Sequence, residues 1–173
     1  MRIHWSLAFT CAGYLALLVA GPALADGSNY NEMLKGKYRF STSKTCTDTA
    51  TGSTIHLHFL GTTTYDGDGH AKLTERGTVF LPGPFQVSFE ETAELTYEVK
   101  RNGSFSQEGT FTGTDGSTTV TGAKIVGQIG AEGSVLILSN AIPAVRETLT
   151  FAGGGYTERF CAASGTAVRI RPE

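Results

Sequence analysis

The sequence predicts an all-β fold: a single antiparallel up-and-down β-barrel of about eight to ten short strands, with a β-sandwich as the alternative. Three observations carry this. Apolar and polar residues alternate through most of the chain, the period that gives a strand one buried face. Turn signals rich in Gly, Asp, Asn and Pro recur roughly every ten residues, and 22 of the 173 residues are glycine. Helical periodicity is nearly absent beyond the first 25 residues. Most consecutive strands are separated by hairpin-length turns, whereas a sandwich needs longer crossovers. The stretch around Pro143 is the one candidate for such a crossover.

The clearest hairpin runs from Thr54 to Leu81 around Asp66-Gly67-Asp68-Gly69. Ile55, Leu57 and Phe59 alternate with His56, His58 and Leu60; Ala71, Leu73, Val79 and Leu81 alternate with Lys72, Thr74, Arg76 and Thr78. A three-residue loop Gly67-Asp68-Gly69 sets Asp66 opposite His70, Phe59 opposite Gly77, Leu57 opposite Val79 and Ile55 opposite Leu81, so the apolar faces coincide. A two-residue loop would slip the pairing and send one apolar set to the wrong face. Gly69 suits the left-handed position that closes such a loop. The second hairpin repeats the device. Phe89, Ala93, Leu95, Tyr97 and Val99 alternate with Glu90, Thr92, Glu94, Thr96 and Glu98, and a loop at Arg101-Asn102-Gly103 pairs Val99 with Phe105 and Ala93 with Phe111. Glu91 and Gln107 fall on the inward face and break the pattern.

The other elements follow in order. Residues 1–25 read as a cleaved secretory signal: Arg2, an apolar stretch ending in Leu15–Ala20, and the A-x-A site Ala23-Leu24-Ala25. Cleavage there leaves residues 26–173 as a single β-barrel domain with no membrane span. It removes one of the 14 Lys and Arg and none of the 16 Asp and Glu, for a formal net charge of −3. Asp26 to Leu34 reads as a polar lead-in with a helical turn. Gly36 to Phe40 starts the first strand, with Tyr38 and Phe40 on one face, and Ser41 to Ser53 reads as strand end and loop. Pro82-Gly83-Pro84 joins the two hairpins, since proline does not sit in a central strand. Phe105–Thr114 and Thr118–Ile129 are strands. Val135–Leu138 is an apolar run expected to be buried on both sides. Glu147–Phe151 and Tyr156–Cys161 form a hairpin around Gly153–Gly155, and Thr166–Ile170 closes the chain.

Scattered basic residues without interleaved aromatics argue against a nucleic-acid surface. After cleavage two cysteines remain, Cys46 and Cys161. In an exported protein an even pair without C-x-x-C spacing reads as a disulfide. No metal site is expected. His56 and His58 share a strand face but lack the third ligand that zinc needs, and Asp66–Gly69 lacks the later carboxylates of a calcium loop. No cofactor motif appears. Glu90, Glu94 and Glu98 share the polar face of their strand. Glu91, on the apolar face, is the one carboxyl group placed for burial and a raised pKa.

Gly36-Lys37-Tyr38 near the start and Arg169 near the end resemble the calycin pattern, in which a G-x-W packs against a late Arg; here Tyr38 stands in for the Trp. The run Tyr65–His70 is similar to uncharacterised exported bacterial β-barrel proteins with a DGxG hairpin. The resemblance implies a lipocalin-like barrel and no particular activity. Three functions compete. The first is a periplasmic or extracellular barrel that binds a small, largely apolar ligand without catalysis, lined by Tyr38, Leu57, Phe59, Leu95, Tyr97 and Phe111, with Glu91 among them. The second is a structural or interaction protein of the cell envelope with a solid core, working through loops at Ser41–Ser53 and Ser139–Val145. The third is a barrel isomerase or cyclase resembling the allene-oxide-cyclase type, with Glu91 as its polar group. No catalytic set of residues is assigned, and oligomeric state is open.

Overall fold

The structure, a computed structural model, describes residues 29–171; the signal-peptide reading of residues 1–25 lies outside them. Nine strands follow a 3-10 turn at Tyr30–Met33: β1 (Lys35–Asp48), β2 (Thr54–Asp66), β3 (His70–Phe80), β4 (Gln86–Val99), β5 (Ser104–Gly113), β6 (Thr118–Gly130), β7 (Val135–Asn140), β8 (Arg146–Phe151) and β9 (Tyr156–Arg169). From β1 to β7 each strand pairs antiparallel with the next, β8 pairs with β9, and β1 pairs with β9, so the sheet closes. Closure removes the exposed edges that an open sheet must protect.

The nine strands occupy eight positions. β7 pairs with Ile125–Gly130 of β6 and Val135–Ser139 of β7 with Ser164–Val168 of β9. β8 pairs with Thr118–Thr121 of β6 and Tyr156–Phe160 of β9. The two short strands therefore lie end to end between the same neighbours. The stretch around Pro143 is an interruption of one barrel strand and not a crossover, which leaves no sandwich.

Both hairpins keep the predicted register: Tyr65 faces Ala71, Phe59 faces Gly77 and Leu57 faces Val79, while Val99 faces Phe105 and Ala93 faces Phe111. At the first turn Asp66 Oδ1 accepts from Asp68 N at 2.7 Å and His70 N at 3.0 Å, and Gly69 takes φ +108°. That positive φ is the reason a glycine ends the loop.

One end of the barrel is plugged. Tyr38, Tyr65 and Tyr97 stack edge to face, with ring centroids 5.5 and 5.1 Å apart. Their hydroxyls are all bonded. Tyr38 donates to Gly133 O at 2.5 Å, Tyr65 to Gln107 Oε1 at 2.6 Å and Tyr97 to Leu34 O at 2.9 Å. Burial pushes the Tyr38, Tyr65 and Tyr97 phenols above their ordinary pKa, so they remain donors. Leu34 and Leu136, both fully buried, complete this floor. Arg169 faces Tyr38 across the β1–β9 seam, and a Cβ at Gly36 would lie 3.2 Å from its Nε. Inward glycines make room for large neighbours. A Cβ at Gly127 would meet Phe105 Cε1 at 2.5 Å, and one at Gly61 would meet Phe40 Cζ at 2.8 Å. Small residues opposite large ones are how a narrow barrel fills.

Three sequence expectations change. β1 continues through Cys46 to Asp48, so most of Ser41–Ser53 is strand; its Ser and Thr alternate faces while pairing on both sides with β2 and β9. Val135–Leu138 is buried on one face only, with Ile137 61% exposed, because an antiparallel barrel strand turns its outer face to water. On β6, expected as one strand over Thr118–Ile129, the alternation changes phase partway. Gly109 pairs with Ala123 but Phe111 with Val120, an extra residue at Gly122 with φ +77°. This bulge turns both Val120 and Ala123 inward.

Candidate functional site

Above the tyrosine floor the lumen is hollow. A cavity of about 980 Å³ opens at the end carrying the β1–β2, β3–β4, β5–β6 and β8–β9 turns. Its walls are apolar near the mouth, where Ile55, Leu57, Val79 and Phe89 pack around the Cys46–Cys161 disulfide. Cys46 and Cys161 are register partners across the β1–β9 seam, with S–S 2.07 Å and Cα–Cα 4.1 Å. The bridge bolts the strands that close the barrel.

Set into this wall are five charged or titratable side chains. Lys44 on β1 and Cys46 have the same parity, as do Arg159 and Cys161 on β9. Both cations therefore enter the lumen beside the disulfide and meet Glu147 on β8. Lys44 Nζ lies 2.6 Å from Glu147 Oε1 and donates to Oε2 at 2.8 Å; Arg159 Nε donates to Oε2 at 3.3 Å. Cys161 Sγ touches the same oxygen at 3.3 Å. Being oxidised, Cys46 and Cys161 have no thiolate to offer, so their closeness to Glu147 does not make a metal centre.

Glu75 on β3 and Glu91 on β4 are cross-strand partners whose carboxyl groups influence each other. Burial, then the neighbouring Glu91 charge, pushes Glu75 up to about 8 against the pull of Lys44. Burial raises Glu91 as well, opposed first by Arg159. Of the two, Glu75 is the one pushed further toward its protonated form. Two cations and three carboxyl groups thus share one wall of the lumen. Isolated buried charges are costly, and a balanced cluster is the form in which a barrel tolerates them.

The sequence-derived site residues separate by height. Tyr38, Leu57, Phe59, Phe111 and Glu91 border the cavity. Leu95 and Tyr97 do not: they point inward as expected but lie too near the closed end, packed in the floor. Ser139 and Asn140 end β7, so the loop proposed there shortens to 141–145. His56 and His58 stand on the outer face, within 3.0 Å of Thr45 Oγ1 and Ser43 Oγ.

Sequence reasoning missed Glu75, Lys44, Glu147 and Arg159. A signal existed for three. Glu75 has the parity of Ala71, Leu73 and Val79, and the two cysteines carry Lys44 and Arg159 inward with them. Glu147 had none, because its inward face depends on β8 sharing a barrel position with β7.

No family model matches the chain, and no curated protein matches it. Among solved structures it is similar to the S-type phycobiliprotein lyase CPES from Guillardia theta, at 7% identity and a TM-score of 0.38, over 83% of this chain and 92% of that one. A likeness of this grade carries no functional information. No helix among the described residues is long and apolar enough to cross a membrane.

Proposed function

We propose that residues 26–173 form a single exported barrel that binds a small, largely apolar ligand in its lumen, working in the periplasm or outside the cell. The observation that carries this is the hollow above the floor. A cavity of about 980 Å³ with Leu57, Phe59, Val79 and Phe89 in its wall has the size and lining of a small-molecule site. The signal-like residues 1–25 and the buried disulfide support export, since such bridges persist in oxidising compartments. A solid-core envelope protein would need a filled interior, and the hollow counts against it.

Native mass spectrometry of protein purified from its own envelope tests the reading. An extra mass lost on denaturation is the expected result. A bare mass, together with failure to bind an apolar fluorescent probe, would overturn it. Leu57→Trp, which fills the mouth, should abolish probe binding while leaving the disulfide intact.

One observation favours a second reading. An acid held protonated near pH 7 beside a carboxylate, inside an apolar cavity, is an arrangement used for proton transfer. In an isomerase or cyclase of this kind Glu91→Gln abolishes turnover and spares ligand retention.

A further inference from the structure

We infer that the polar end of the ligand is a cation, an ammonium on an otherwise apolar chain, seated between the cross-strand partners Glu75 and Glu91. This rests on the ligand-holding reading above and adds the chemical class of the head group.

Three features point the same way. The first is which groups are engaged. Glu147 already occupies both cations, with Lys44 astride its two oxygens and Arg159 on one of them. An anionic head would have to draw Lys44 or Arg159 from Glu147, weakening the partners of a buried carboxylate. Glu75 and Glu91 are cross-strand partners that border the cavity, and neither is in a salt bridge among the described residues. The second is charge. With three carboxyl groups against Lys44 and Arg159, the fully ionised set lacks one positive charge, and an ammonium supplies it. The entering head keeps its three N–H bonds and donates them to the carboxylates; the Glu75 proton leaves to solvent, so the complex stays neutral. The third is the wall. Phe40, Phe59, Phe89 and Phe111 line the same cavity, and aromatic faces attract cations and repel anions.

The groups facing the pair are Lys44 from β1, Glu147 from β8 and Arg159 from β9. His58, Arg76 and Glu90, on the outward faces of their strands, and Asp115 and Lys124 touch only the rim of the cavity.

The test is isothermal titration of the oxidised protein with decylammonium, decanol and decanoate, at about pH 6.5, below the Glu75 value of about 8, in two buffers of different ionisation enthalpy. Decylammonium should bind about tenfold tighter than decanol, the worth of one charge-assisted contact. Decanoate should bind more weakly than decanol. About one proton should be released per amine bound, and none with decanol. Glu75→Gln keeps a donor toward Glu91 in place of the acid, so it should remove the proton release. Glu91→Gln should erase the preference for amine over decanol. An unchanged far-ultraviolet circular dichroism spectrum and an intact disulfide by mass show that each variant is folded. Equal affinities for the three probes, tighter decanoate, or proton release that survives Glu75→Gln would overturn the inference and leave the ligand-holding reading standing. Failure of all three to bind would overturn that reading too.

Discussion

The closed end of the barrel and its open half are made from the same alternating strands, but different forces hold them. At the closed end inward side chains meet across the axis. Leu34, Leu136 and the three tyrosines fill the space, and the phenol hydroxyls reach backbone and Gln107 acceptors. In the open half inward side chains touch their neighbours, as Phe59 does Phe89, but do not fill the axis. A hollow remains, and the walls are tied by a disulfide and by ion pairs. Outer apolar residues at that end also go uncovered, with Phe85 68% exposed. The difference teaches that strand parity tells which residues point inward and that height above the floor decides what they do there.

The comparison can be broken most severely at the disulfide. It closes a loop across a sequence separation of 115 residues. Replacing both cysteines by alanine should cost about 4–5 kcal/mol in the chain-entropy account. Hydrogen exchange should then rise first around residues 44–48 and 159–163, with the floor still protected. A uniform rise would mean that the two halves are one cooperative unit. Packing comes next. Leu136→Ala in the floor should cost about 2–5 kcal/mol in denaturant unfolding, whereas Leu81→Ala at the mouth, 37% exposed, should stay within about 0.5 kcal/mol. Equal costs would erase the distinction. Between the two lies Tyr65→Phe, which strands the Gln107 acceptor in the core and should cost about 1–3 kcal/mol.

The sequence made much of this legible and hid a definable remainder. The two hairpin registers followed from turn length and face matching, which are local. The same matching exposed Glu91 and Gln107 as inward exceptions, and both have partners: Glu91 with Glu75, Gln107 with Tyr65. Glu75 was equally legible by parity, but a charged residue among Ala71, Leu73 and Val79 draws less notice than one in a long aromatic strand. The bulge at Gly122 was not legible. Its glycine marks the place, yet both faces of β6 carry apolar residues, so the alternation reads equally well in either phase. The end-to-end placement of β7 and β8 was hidden for another reason. It is fixed by pairing with β6 and β9, which lie on either side of them in the chain and flank them both in the closed sheet. Glu147 inherits its position from that arrangement, so the residue that ties Lys44 to Arg159 was out of reach.

The gentlest test of the two halves is pH, because one proton changes stability by at most about 1.4 kcal/mol per pH unit. Glu75 sits in the open half with its folded-state pKa raised from 4.5 to about 8. The folded protein therefore holds this proton more tightly than the unfolded chain does. The stabilisation it brings is fully present below about pH 4.5, is lost as pH rises and is gone above about 8. Glu91, also raised, adds in the same direction, whereas the lowered carboxyls Asp48, Asp66 and Asp115 act only at more acid pH. Unfolding curves collected across this window should show stability falling as pH rises. Glu75→Gln should flatten much of the slope, while Tyr65→Phe, which shifts the whole curve down, should leave the slope unchanged. A slope that persists in Glu75→Gln would place the titrating proton elsewhere. A slope altered by Tyr65→Phe would mean that the floor and the charged wall above it are coupled.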